Sequence, residues 1–137
     1  MQELIGNWSL TKMKDFDKFL VFIKFNSIVT QILKNVSVKL IINKNEDESY
    51  QKKITSPFYS VNEKILLDQN YYEYDKFMKK YKFENNMVIC KAKYPKYKLK
   101  WQEVIYIKNK NLYVDFMWQK NKKDYFARQI FKKTISK

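Results

Sequence analysis

From residue 36 to residue 132 the apolar side chains recur with a period of two, in short runs broken by turn-forming stretches, and no other feature restricts the fold as strongly. Strand-like runs fall at residues 36–43, 49–55, 59–67, 71–74, 77–83, 87–94, 97–107, 112–118 and 124–132. Between them lie "NKNEDE", "SPF", "DQN", "DK", "ENN", "PK", "NKN" and "KNKK", short stretches rich in residues that favour turns. Connections this short join neighbouring strands antiparallel.

The chain ahead of residue 36 follows a different rule. "WSLTKM", residues 8–13, alternates and adds one further strand. Asp15 then suits a helix N-cap, and Phe16, Phe19, Leu20 and Ile23 recur at i, i+3, i+4 and i+7, which puts them on one apolar face. Lys24-Phe25-Asn26 interrupts that pattern. Asn26 or Ser27 can cap a second short helix carrying Ile28, Val29, Ile32 and Leu33. Helices this short need a surface to pack on.

Ten antiparallel strands with a helical pair after the first predict an all-β fold. A meander of this kind hides its edges by closing, so the expectation is a ten-stranded antiparallel closed β-barrel with a two-helix lid between the first and second strands. There is no Pro- or Gly-rich linker and no repeat, so residues 1–137 form one domain.

Alternation assigns faces. On the strand at 97–107, Leu99, Trp101, Glu103, Ile105 and Ile107 share one side, while Lys98, Lys100, Gln102, Val104, Tyr106 and Lys108 share the other. The lysines mark the second side as the wet one. By the same logic Leu112, Val114, Phe116 and Trp118 form a dry face. Glu103 is then a carboxylate facing inward, which is costly without a partner or water. A place near the barrel mouth accounts for it, and contact with a ligand is the alternative.

Composition limits the chemistry. With 45% hydrophobic and 18% aromatic residues the chain is too apolar for disorder, and no apolar run reaches the roughly 20 residues of a membrane span. The N-terminal "MQELIGNW" carries no signal-peptide pattern, and the single cysteine, Cys90, cannot form an internal disulfide; both fit a reducing cytosol. Absence of histidine removes Ser-His and Cys-His nucleophiles and imidazole metal ligands; carboxylate-only or lysine catalysis stays open but no spacing points to it, so neither an enzyme nor a metal or other cofactor is expected. The net charge of +14 is compatible with nucleic acid or anionic membranes, and equally with a general bias toward Lys, Asn, Ile, Tyr and Phe.

"LIGNWSLTKMKDFDKFL", residues 4–20, resembles the opening of the intracellular lipid-binding proteins, the fatty-acid-binding and cellular retinoid-binding group. Their first strand carries Gly-x-Trp and their first helix begins Phe-(Asp/Glu)-x-(Tyr/Phe)-(Leu/Met). "SPFYSVNEKILLDQNYYE", residues 56–73, is similar to the family's Ser-Thr-Phe segment and the segment that follows it, and "RQIFKKT" resembles the ending of the cellular retinol-binding members. The chain departs from the family in lacking its usual glycines, Gly6 being the only one, and in "QKNKKD" before the last strand, which reads as a longer loop.

This resemblance implies a calycin-like barrel that binds a fatty acid, retinoid or similar small lipid non-covalently in the cytoplasm and delivers it to membranes or enzymes. It implies no obligate protein partner and allows transient contact with anionic membranes. Phe16, Phe19, Leu20, Val29 and Phe58 take lid and portal positions, although Phe16, Phe19 and Leu20 are also what any helix would use to seal a core. Trp101, Glu103, Ile105, Val114 and Phe116 line the interior. Fatty-acid binders hold the carboxylate with two arginines and a tyrosine; here Ile105 stands at the first arginine position, and Gln129 and Phe131 at the final Arg-x-Tyr.

The faces of the last strand lead to the same register. Tyr125, Ala127, Gln129 and Phe131 share an uncharged side, while Asp124, Phe126, Arg128, Ile130 and Lys132 share a side with three charges. Gln129 therefore points inward unless the loop before it shifts the strand by one residue, which would turn Arg128 inward instead. An amide can serve a hydroxyl but cannot neutralise a carboxylate. A different class of reading is a basic interaction module for nucleic acid or another acidic partner. Against it, a lone arginine leaves little capacity for bidentate phosphate contacts. A secreted lipocalin-like carrier is a third reading, countered by the helical pair.

Overall fold

The computed structural model describes residues 1–25, 37–57 and 59–134. A single 3-10 turn, Gln2–Leu4, precedes β1 (Gly6–Lys14), and helix α1 (Phe16–Phe22) follows it. The remaining strands are β2 (Lys39–Lys44), β3 (Tyr50–Ser56), β4 (Tyr59–Ile65), β5 (Tyr72–Tyr74), β6 (Phe77–Glu84), β7 (Met87–Tyr94), β8 (Leu99–Lys108), β9 (Asn111–Lys120) and β10 (Lys123–Lys133). All ten expected strands form, displaced at their ends by a few residues.

They make one ten-stranded antiparallel sheet in the order β4-β3-β2-β1-β10-β9-β8-β7-β6-β5. Pairing of β1 with β10 joins the two ends of the chain, Leu10 opposite Phe131 and Met13 opposite Gln129. The sheet curls until β4 and β5, its two edges, face each other. No ladder pairs β4 with β5 among the described residues, so the barrel is nearly closed rather than closed: an isolated bridge there joins Leu67, just after β4, to Tyr81 on β6. Side chains span the rest. Tyr72 Oη donates to Lys64 O at 2.9 Å and accepts from Leu66 N at 3.4 Å.

Gly6 being the only glycine, the hairpins turn without it, and three of them do so on paired positive-φ residues. Asn85-Asn86, Asn109-Lys110 and Asn121-Lys122 are two-residue turns with positive φ at both positions, 53° and 61°, 51° and 67°, 52° and 64°. That is the sign pattern of the type I′ turn, whose twist suits a hairpin, and asparagine tolerates it better than most side chains. The segment "QKNKKD" is thus not a long loop: β9 and β10 run on through it and leave two residues to turn.

Helix α1 is short and amphipathic, with Phe19 and Leu20 buried. Asp15 stands at its N-cap, but in the left-handed region with φ of 56°, so its side chain makes no capping bond and pairs with Lys18 at 3.5 Å. The Asp15 carbonyl receives the amides of Lys18 and Phe19 instead. Aromatic rings seat the helix on β8 and β9: Phe19 lies 4.4 Å from Phe116, 5.6 Å from Trp118 and 5.8 Å from Trp101, and Phe16 lies 5.1 Å from Phe116. One helix of the expected lid is therefore present. The second helix, Val29 and Phe58 lie outside the described residues.

Candidate functional site

Period-two alternation on a curled sheet sends every second side chain inward, and the inward set does not fill the barrel. A cavity of about 460 Å³ remains, bounded by α1 and by side chains from β1, β2, β3, β4, β5, β6, β8, β9 and β10. That volume lies within the range of roughly 300–1,000 Å³ typical of small-molecule sites. Phe16, Phe19 and Leu20 cover it from the helix, and Trp101, Glu103, Ile105, Val114, Phe116, Gln129 and Phe131 line it from the strands. The wall is mostly apolar.

Arg128 belongs elsewhere. Its neighbour Gln129 is buried and lines the cavity, whereas Arg128 lies on the outer face opposite Asp115. Nε donates to Asp115 Oδ1 at 2.7 Å and Nη2 to Oδ2 at 3.2 Å, while Tyr106 Oη donates to the same Oδ2 at 2.8 Å. Through that carboxylate hydrogen bond the arginine is held above its ordinary value. A bidentate pair on the outer face leaves the guanidinium nothing to offer a ligand inside, so Arg128 is withdrawn as a cavity residue.

Glu103 also differs from expectation, since it does not sit at a wet mouth. Its carboxylate is buried and belongs to a cluster of four charges from four strands: Lys52 on β3, Glu63 on β4, Lys79 on β6 and Glu103 on β8. Lys79 Nζ lies 3.2 Å from Glu63 Oε2 and 3.7 Å from Glu103 Oε2. Lys52 Nζ stands 3.8 Å from a carboxylate oxygen of each glutamate. Neutral donors anchor the acids, Trp101 Nε1 bonding Glu103 Oε2 at 2.9 Å and Tyr81 Oη bonding Glu63 Oε1. Two ammoniums face two carboxylates, so the quartet is neutral as a whole.

Its titration follows from that balance. Burial alone works against the charge on Lys79, but the carboxylates of Glu103 and Glu63 outweigh it and hold the ammonium above its ordinary value. Burial likewise opposes ionisation of Glu103, and Lys79, Lys52 and the Trp101 N–H outweigh it and hold the carboxyl below its ordinary value. The Cys90 thiol beside them is pushed up to about 12, first by burial and then by Glu103. It stays protonated and unreactive at neutral pH.

No family model and no curated protein matches the sequence. Solved structures match it closely in backbone. Apo lipid binding protein 8 of Caenorhabditis elegans superposes with a TM-score of 0.85 at 18% identity, over 98% of this chain and 97% of that one. Fatty-acid-binding protein 1 of Echinococcus granulosus does so at 0.84 and 13%, over 98% and 100% of the two chains. For human cRBP IV the values are 0.78 and 17%, over 96% and 98%. The fold is that of the intracellular lipid-binding proteins. At such identities the likeness lies in the path of the backbone, and the cavity must be read from its own residues.

Lys52, Glu63 and Lys79 went unnoticed in the sequence, although a signal was there. Each shares parity with apolar neighbours two residues away: Lys52 with Tyr50 and Ile54, Glu63 with Val61 and Ile65, Lys79 with Phe77 and Tyr81. The adjacent Lys53, Lys64 and Lys80 hide it, because a chain with lysine on both faces of its strands does not mark an inward one.

Proposed function

We propose that this chain is a member of the intracellular lipid-binding family, a cytoplasmic carrier that takes a long-chain lipid into its barrel reversibly and delivers it to membranes or enzymes. The observation that carries this reading is the cavity of about 460 Å³, walled by aromatic and branched side chains and covered by α1. A mostly apolar cavity removes the ligand's chain from water, worth about 0.8 kcal/mol per methylene. The charged cluster of Lys52, Glu63, Lys79 and Glu103 also lines this space and offers polar partners for a head group, as does the Gln129 amide elsewhere in the lining. Binding is non-covalent and no catalytic step is assigned.

The family likeness supports this, since one neighbour is named a lipid binding protein and another a fatty-acid-binding protein. Denaturing extraction of the purified protein followed by mass spectrometry should release a lipid, and titration with fatty acids and retinol should displace it or fill the cavity. If no apolar ligand binds at micromolar concentration, the carrier reading fails.

A further inference from the structure

Lys52 is the loose member of the buried quartet. Lys79 Nζ hydrogen-bonds Glu63 at 3.2 Å, Glu103 receives Trp101 Nε1, and Glu63 receives Tyr81 Oη. Lys52 Nζ reaches its two carboxylates only as ion pairs at 3.8 Å, beyond hydrogen-bond distance, with its side chain 6% exposed. Among the described residues it makes no hydrogen bond, and neither does the Gln129 amide; both line the cavity. An ammonium carries three donors and no acceptor, so one that opens onto the cavity without a full set of partners favours any ligand that brings an oxygen to it.

The charge balance decides which oxygen. A carboxylate would add a third negative charge beside Glu63 and Glu103, against the same two ammoniums, with no cation left uncompensated. A ligand amine would add a third positive charge. A neutral oxygen accepts from Lys52 and leaves the balance intact.

We propose that Lys52 donates to the head-group oxygen of the ligand, and that the balanced quartet restricts the cavity to uncharged long-chain lipids bearing a hydroxyl or carbonyl. This assignment rests on the carrier reading above.

The test is displacement of Nile red at neutral pH by three ligands of equal chain length: hexadecane, hexadecanol and hexadecanoate. In the wild-type protein hexadecanol should bind about tenfold tighter than hexadecanoate, the size expected for one hydrogen bond plus an avoided like charge. Lys52→Met should weaken hexadecanol by roughly tenfold while hexadecane holds within about twofold, which shows the cavity intact. Removing one negative charge, by Glu103→Gln or independently by Glu63→Gln, should reverse the order in favour of hexadecanoate.

If hexadecanoate outcompetes hexadecanol in the wild-type protein, this assignment falls and the carrier reading stands; that comparison needs no variant. The assignment also falls if Lys52→Met binds hexadecane normally and hexadecanol undiminished. Should all three ligands fail to displace the dye, the carrier reading falls and takes this one with it.

Discussion

At Glu103 burial and attraction oppose each other, and the partners decide the outcome. A carboxylate alone in this wall would be neutralised, but Lys52, Lys79 and the Trp101 N–H keep it ionised. Removing one member should therefore cost more than the interaction itself is worth. Lys79→Met leaves two glutamates sharing one lysine, and urea unfolding should show a loss of about 3–5 kcal/mol. The pair Lys79→Met with Glu103→Gln restores the balance and should recover much of that loss. Acid provides a second check. Glu103 is depressed in the folded state, so its contribution is complete above its ordinary value of 4.5 and is lost as pH falls through the lower folded value. Urea midpoints should fall steadily below pH 4.5, and less steeply in Glu103→Gln. Lys79 has the opposite sign: its contribution is complete below 10.5 and is lost only as pH rises through its higher folded value.

At the scale of elements, the hairpins show a backbone held against the preference of its side chains. Lys110 and Lys122 occupy left-handed conformations with φ of 67° and 64°, where a Cβ costs about 1–2 kcal/mol. Lys122→Gly should raise the melting temperature by a few degrees, since roughly 0.5–1 kcal/mol remains after glycine's extra entropy in the unfolded chain is counted. Gly6 is the reverse case. Its φ is +145°, so the backbone opposes a larger residue, while the nearest atom to an added Cβ, Lys133 Cε on β10 at 3.2 Å, belongs to a flexible side chain that can yield. The seam between β4 and β5 is the weakest join in the sheet, held there by Tyr72 and by Glu63 reaching Lys79 and Tyr81. Tyr72→Phe removes two hydrogen bonds to the backbone of β4 and the residue after it. It should cost about 1 kcal/mol and speed amide exchange at Leu66 more than on β8 or β9.

For the whole molecule, the +14 charge bears on how cargo would leave. A basic exterior attracts anionic bilayers over roughly a Debye length, about 10 Å at 0.1 M salt and about 3 Å at 1 M. Transfer of a fluorescent lipid to phosphatidylserine vesicles should slow as salt rises, while transfer to neutral phosphatidylcholine vesicles should hardly change. A rate independent of salt in both would assign the charge to composition alone.

How much was legible in the sequence depended on the range of the signal. The number and order of the strands, the helix at Phe16–Phe22 and the inward turn of Gln129 were all written locally, because parity along a strand and spacing along a helix are properties of neighbours. Three things were not: the open seam between β4 and β5, the near-complete burial of the Glu103 side chain, and the meeting of Lys52, Glu63, Lys79 and Glu103. Those four residues come from four strands, separated along the chain by 11, 16 and 24 positions. Parity can say that each faces inward; only the curvature of the sheet, set by all ten strands together, brings their charges within 4 Å of one another.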